Sequence, residues 1–143
     1  MAPSKAPADL PVLSTKRFVL KPLQKNDVGG RYLEWMRDEE ITRFLYAQHR
    51  EQTIESIQEY VSSFDNISSF LFGIFVTDTK PLVHIGNITL RCNLTLGNGM
   101  MGAMIGDKEY WGHAVVLEVR EKLLEFAFDT LELFKISGGC AAT

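Results

Sequence analysis

Hydrophobic and polar residues alternate along this chain in blocks whose period switches between two and about 3.6. Arg17 to Leu23 (RFVLKPL) places Phe18 and Leu20 on one side and basic residues on the other, the signature of a half-buried strand closed by Pro22. Asn26-Asp27 then reads as the cap of a helix running to Met36, with Val28, Tyr32, Trp35 and Met36 as its apolar positions. Gly29 and Gly30 weaken its first turn, so packing rather than propensity must hold it. A second helix starts after Thr53, a good N-cap, with Ile54, Ile57, Val61 and Phe64 at helical spacing. Between the helices lies ITRFLYAQHREQ, whose Phe44, Leu45 and Tyr46 either line a binding site or seal the edge of the core.

Three strands follow. Ser69 to Thr77 (SFLFGIFVT) is almost continuously apolar, as a strand covered on both faces should be. Val83 to Arg91 (VHIGNITLR) alternates but changes phase near Gly86-Asn87, which predicts a bulge or a close backbone approach. Gly97-Asn98-Gly99 reads as a hairpin turn, and Met100 to Ile105 as the returning strand. A long amphipathic helix is expected from His113 to Leu133, with Val116, Val119, Leu123, Phe126, Ala127 and Thr130 near one stripe. Lys135 to Ala141 closes the pattern as a short strand. The order β-α-α-β-β-β-α-β, with no repeat and no linker, predicts one α+β domain over residues 14–143. Residues 1–13 (MAPSKAPADLPVL) read as a flexible arm without the apolar run of a signal peptide.

Composition narrows the function classes. A chain of 143 residues with 45% hydrophobic content can bury a core, and its formal charge of −3 lacks the basic footprint of a nucleic-acid or anionic-membrane binder. No apolar run is long enough to span a bilayer, and a cytoplasmic location is expected. Cys92 and Cys140 are the only cysteines, and His49, His84 and His113 lack ligand spacing with them, so no metal site is expected.

The chemistry concentrates in Met104 to Glu118 (MIGDKEYWGHAVVLE). A strand there hands over to a helix through Trp111-Gly112, and the unpaired N–H groups at a helix N-terminus form an anion site suited to phosphate. This order resembles the acyl-CoA loop of the GNAT N-acetyltransferases, nearest to the branch of ribosomal-protein N-terminal acetyltransferases. Further matches are Arg17 to Leu23 as first strand, Trp35 and Asp38 closing the first helix, Phe72-Gly73-Ile74, and Ile85-Gly86-Asn87-Ile88-Thr89-Leu90.

The resemblance implies a mixed, mainly antiparallel sheet flanked by helices, ending short of the family's last helix and closing hairpin. It implies acetyl-CoA as co-substrate, with the pantetheine arm against the backbone of Met104 and Ile105 on a bulged strand that splays from the last one. Gly112, His113, Ala114, Val115 and Val116 would form the pyrophosphate loop, with Ala114 where the family has glycine, Val116 where it has glycine or alanine, and Leu117 in place of a hydroxyl residue. The acceptor it implies is a primary amine of a small molecule or a protein N-terminus. Trp35, Tyr46, Asn87 and Asp107 are the candidate acceptor-side residues. Trp35 also reads as core, Asn87 as a bulge residue, and Asp107 and Glu109 as solvated surface. Catalytic acid and base are not assignable. A last strand with an open edge predicts homo-oligomers. The alternative reading is a catalytically silent GNAT-like binding or assembly module.

Overall fold

The computed structural model describes residues 11–42, 52–78 and 82–138. Six strands form one sheet in sequence order, β1 (Leu13–Ser14), β2 (Phe18–Pro22), β3 (Ser69–Val76), β4 (Val83–Asn93), β5 (Asn98–Ile105) and β6 (Lys135–Gly138). Every neighbouring pair is antiparallel except β5 and β6, which run parallel. The α+β class is therefore as the pattern predicts, and the mixed, mainly antiparallel sheet is as the resemblance implies. Strand β1, a two-residue addition to that pattern, includes Leu13, assigned above to the arm.

Helices cover both faces. On one side lie α1 (Gly30–Arg37), the single turn α2 (Glu39–Thr42) and α3 (Ile54–Ser62). On the other lies α4 (Val115–Glu125), continued by a π-helical turn over Phe126–Thr130. Strand β3 separates two cores by simple alternation. Phe70, Phe72, Ile74 and Val76 pack with Val115, Val119 and Leu123 of α4. Leu71 and Phe75 pack with Tyr32, Trp35, Ile57 and Val61.

The helix N-termini show how local chemistry sets each boundary. Thr53 caps α3, its hydroxyl accepting from Ser56 N–H while Ser56 Oγ accepts from Thr53 N–H. Asn26-Asp27 does not open α1. Asp27 accepts from Gln24 N–H and closes a 3₁₀ turn over Lys25–Asp27, after which Val28 is extended and α1 begins at Gly30. On α4 the deep stripe is Val115, Val119, Leu123, Phe126 and Ala127, with Val116 at its margin and Thr130 exposed.

Two sheet details position the site. The β3–β4 register shifts between Ile74 and Phe75, so Ile85 is an extra residue on β4, beside the expected Gly86-Asn87 phase change. The hairpin turn is Leu94 to Gly97, not Gly97-Asn98-Gly99: Gly97 has φ +73° and donates to Asn93 O, while Asn98 and Gly99 already pair with Asn93 and Cys92.

Candidate active site

Strand β5 ends at a deliberate irregularity. The consecutive N–H groups of Gly106 and Asp107 both donate to Ile85 O, at 2.8 and 3.0 Å, the two-against-one arrangement of a β-bulge. The bulge implied for this strand thus sits at its end, while the β4–β5 register runs unbroken from Gly86↔Ile105 to Asn93↔Asn98. Antiparallel ladders alternate, so Gly106 bonding to Ile85 makes Asn87↔Met104 a hydrogen-bonded pair. The same alternation turns the N–H and C=O of Ala103 and Ile105 toward the opposite edge. Strand β6 pairs with β5 only from Asn98 to Met101, so Ala103 and Ile105 meet no partner strand among the described residues. One outward group is taken: Trp111 Nε1 donates to Ile105 O at 2.9 Å. Ile105 therefore offers an outward backbone group, whereas the backbone of Met104 is spent on β4.

The link to α4 is a chain of tight turns. Asp107 Oδ1 accepts from Glu109 N–H and caps a 3₁₀ turn over Lys108–Tyr110. Gly112 follows at φ +82°, and Ala114, the residue before α4, lies at φ 59°, ψ 28°. That left-handed conformation is the one glycine tolerates and L-residues resist. The first-turn N–H groups of Val115, Val116 and Leu117 have no carbonyl partner inside the helix by construction. Val116 packs at the margin of the core, so its branch is turned partly away from those donors, and Leu117 is 71% exposed beside them.

The turn is anchored from across the sheet. Glu118 accepts from Thr15 Oγ1 (2.6 Å), Arg17 N–H (2.9 Å) and Arg17 Nε (2.6 Å), and Arg17 Nη2 donates to His113 O (2.9 Å). Burial alone would raise the Glu118 pKa, but these donors outweigh it and the carboxyl sits below its usual range. His113 itself is exposed.

On the opposite face, under α1, are Trp35, Asn87 and Met104, joined by Tyr32 and His84. His84 Nε2 lies 2.7 Å from Asn87 Oδ1, and its ring stacks on Phe75 and meets Trp35 edge-on, both at 4.9 Å between centroids. Burial holds His84 below its ordinary pKa, so the ring is neutral at pH 7. Burial likewise pushes Tyr32 well above the usual phenol range. Asp107 is paired with Arg31 at 3.0 Å, and Lys108 reaches Asp38 and Glu40 at 2.8 and 2.7 Å. The side-chain hydrogen bond with Lys108 lowers the Asp38 pKa, and the same contact raises that of Lys108.

Of the residues expected at the site, Met104, Ile105, Gly112, His113, Ala114, Val115 and Val116 form one continuous ledge from strand to helix. Trp35, Asn87 and Asp107 gather on its α1 side, and Tyr46 lies outside the described residues. Trp35 is 6% exposed, and Gly106 has no room for a Cβ, which would fall 2.0 Å from the Trp35 ring. Trp35 therefore serves as packing beneath the bulge. Tyr32, His84, Arg31 and the anchoring pair Arg17–Glu118 were missed. Only His84 carried a signal, its position just before the phase change in β4. Among the described residues, no three of His, Cys, Asp or Glu gather as metal ligands.

The donor set thus comprises outward strand backbone at Ala103 and Ile105, positive-φ residues at 112 and 114, and the first turn of α4. No curated protein sequence matches the chain. Among solved structures, a GNAT-family acetyltransferase from Bacillus anthracis superposes with a TM-score of 0.72 at 14% identity, covering 89% of this chain and 72% of the other. A Vibrio cholerae protein designated a ribosomal-protein-serine acetyltransferase gives 0.64 at 18% identity, covering 91% and 74%. A Vibrio cholerae spermidine N-acetyltransferase, solved with CoA and spermine, gives 0.69 at 16% identity, covering 84% and 69%. These likenesses show the fold. The acetyltransferase (GNAT) domain model matches residues 17–143, and the chain belongs to that family.

Proposed function

We propose that this chain transfers the acetyl group of acetyl-CoA to a primary amine of a small molecule or a protein N-terminus. The observation that carries the reading is the ledge itself. Outward backbone groups at Ala103 and Ile105 lead through the Gly106-Asp107 bulge to the open first turn of α4. The pyrophosphate would lie against the N–H groups of Val115 to Leu117, with Gly112 allowing close backbone approach. The pantetheine amides would bond along the β5 edge as an added strand would. Acetyl-CoA supplies the activated acyl group. The amine nitrogen forms the new C–N bond, the C–S bond breaks, and the amine proton and thiolate are balanced by proton transfer. A backbone N–H on the ledge, aimed at the acyl oxygen, would stabilise the charge that develops there.

The ion-paired rim of Arg31, Asp107, Lys108, Asp38 and Glu40 lies on the acceptor side of this reading. The solved neighbour that holds spermine supports an amine as acceptor, because that protein acts on spermidine. Strand β6 has no partner on its outer edge among the described residues, and self-association through that edge belongs to the same proposal. A screen of acetyl-CoA against polyamines, amino sugars and peptides with free N-termini, read by thiol release, tests the activity.

One observation favours a second reading. Trp111 already occupies Ile105 O, and Ala114 holds a strained conformation at the phosphate turn. A silent binding module with this fold would show neither acetyl-CoA binding nor turnover.

A further inference from the structure

We propose that His84 is a positioning residue for the acyl-transfer ledge, acting through Asn87; this rests on the acetyl-transfer reading above. The extra residue at Ile85 breaks the alternation of β4. Ile85 joins the core under α4, and His84 falls on the opposite face beside Tyr32, Trp35 and Phe75. Three aromatic rings fix its plane, and its Nε2 lies 2.7 Å from Asn87 Oδ1, placed to donate to it in the Nε2–H tautomer. Asn87 is 5% exposed, and its side chain also holds the Tyr32 hydroxyl. Its backbone is the ladder partner of Met104, the residue before Ile105.

A second tie leaves the same residue. His84 O accepts from Arg31 Nε at 3.0 Å, and Arg31 Nη2 pairs with Asp107 at 3.0 Å, two residues beyond Ile105. Thus the stretch of β5 that meets no second partner strand among the described residues is held before and after Ile105 by groups that meet at His84. Burial outweighs the opposing pull of Asn87, the Gly86 backbone and the Asp27 carboxylate, with Arg31 acting alongside burial, and keeps the ring uncharged, which suits a spacer rather than an acid or base.

The test compares His84→Leu, which deletes the donor, with His84→Gln, which keeps a nitrogen donor near the Nε2 position. Amide hydrogen exchange is read at Met104 and at Gly102, two residues earlier and also bonded to β4. We expect His84→Leu to speed exchange at Met104 about tenfold relative to Gly102, and His84→Gln to restore it. With acetyl-CoA and a reactive amine, kcat should fall about tenfold in His84→Leu at unchanged KM for acetyl-CoA, and recover in His84→Gln. Should His84→Leu not fold, Asn87→Ala removes the acceptor instead and must give the same contrast. Equal acceleration at Met104 and Gly102, or loss of rate without rescue by glutamine, overturns the proposal. If the wild type does not bind acetyl-CoA, the acetyl-transfer reading falls and takes the kinetic role with it. The exchange comparison then still decides whether His84 holds the strand edge.

Discussion

Ala114→Gly changes one exposed methyl group, yet it separates two properties of the phosphate turn. Ala114 sits at φ 59°, ψ 28° before α4, and its carbonyl accepts from Glu118 N–H at 3.2 Å. An L-residue in that region is disfavoured by about 1–2 kcal/mol because Cβ crowds the following carbonyl oxygen. Glycine removes that strain but loses about 0.5–1 kcal/mol more conformational entropy on folding. Because the methyl is exposed, no packing term offsets the gain. The net expectation is about 0.5–1 kcal/mol of added stability, or a rise of roughly 2–5 °C in Tm. Acetyl-CoA affinity should rise as well, since the methyl no longer limits approach to the phosphate oxygens. Glu132, at φ 58° on the exposed surface, is the control. Glu132→Gly should raise Tm similarly and leave acetyl-CoA affinity unchanged. Urea unfolding and calorimetric titration read the two effects. A less stable Ala114→Gly would refute the strain argument, and a more stable variant with unchanged affinity would refute a role for this turn in holding pyrophosphate.

Gly106→Ala forces a Cβ to within 2.0 Å of the Trp35 ring, so it should cost about 3 kcal/mol and shift tryptophan emission; wild-type stability would show that the indole yields freely. Glu118→Gln should lower stability at pH 7 by about 1 kcal/mol, because the anchoring bonds from Thr15 and Arg17 are partly exposed and screened. The Glu118 carboxyl is depressed in the fold, so its contribution is present above about pH 4.3 and disappears as pH falls below that. An unchanged difference between wild type and Glu118→Gln from pH 7 to pH 3 would contradict this. His84 is also depressed, by burial. Its unfolded form therefore binds a proton first, and wild-type stability should decline as pH drops below about 6.5 while His84→Leu shows a flatter profile there. Parallel profiles for the two proteins would exclude His84 as the cause.

Local chemistry made much of this molecule readable in advance. The continuous apolar run of β3, the Thr53 cap and the phase change beside Gly86 all act within a few residues, and each appears where the pattern placed it. Errors arose where a distant element overrode a local preference. Gly97-Asn98-Gly99 is a sound turn sequence, but Asn93 Oδ1 takes Leu96 N–H and closes the turn earlier. Parallel pairing with Lys135 and Ile136 then draws Asn98 and Gly99 into β5. The stripe of α4 holds at Val119, Leu123, Phe126 and Ala127 and differs only at its ends, because helical spacing alone does not say whether Val115 or Val116 faces the sheet. At the site, the ledge from Met104 to Val116 was visible as a motif. Its supports were not. Arg17 and Glu118 are 101 residues apart, and His84 reaches Asn87 only because one extra residue in β4 turns it over.

Calorimetric titration of the folded chain with acetyl-CoA tests the central claim most directly. We expect saturable one-to-one binding in the micromolar range that weakens when Leu117, beside the helix N-terminus, is replaced by glutamate. A folded sample with no heat of binding up to millimolar acetyl-CoA would contradict acetyl transfer and leave the silent module as the function of this fold.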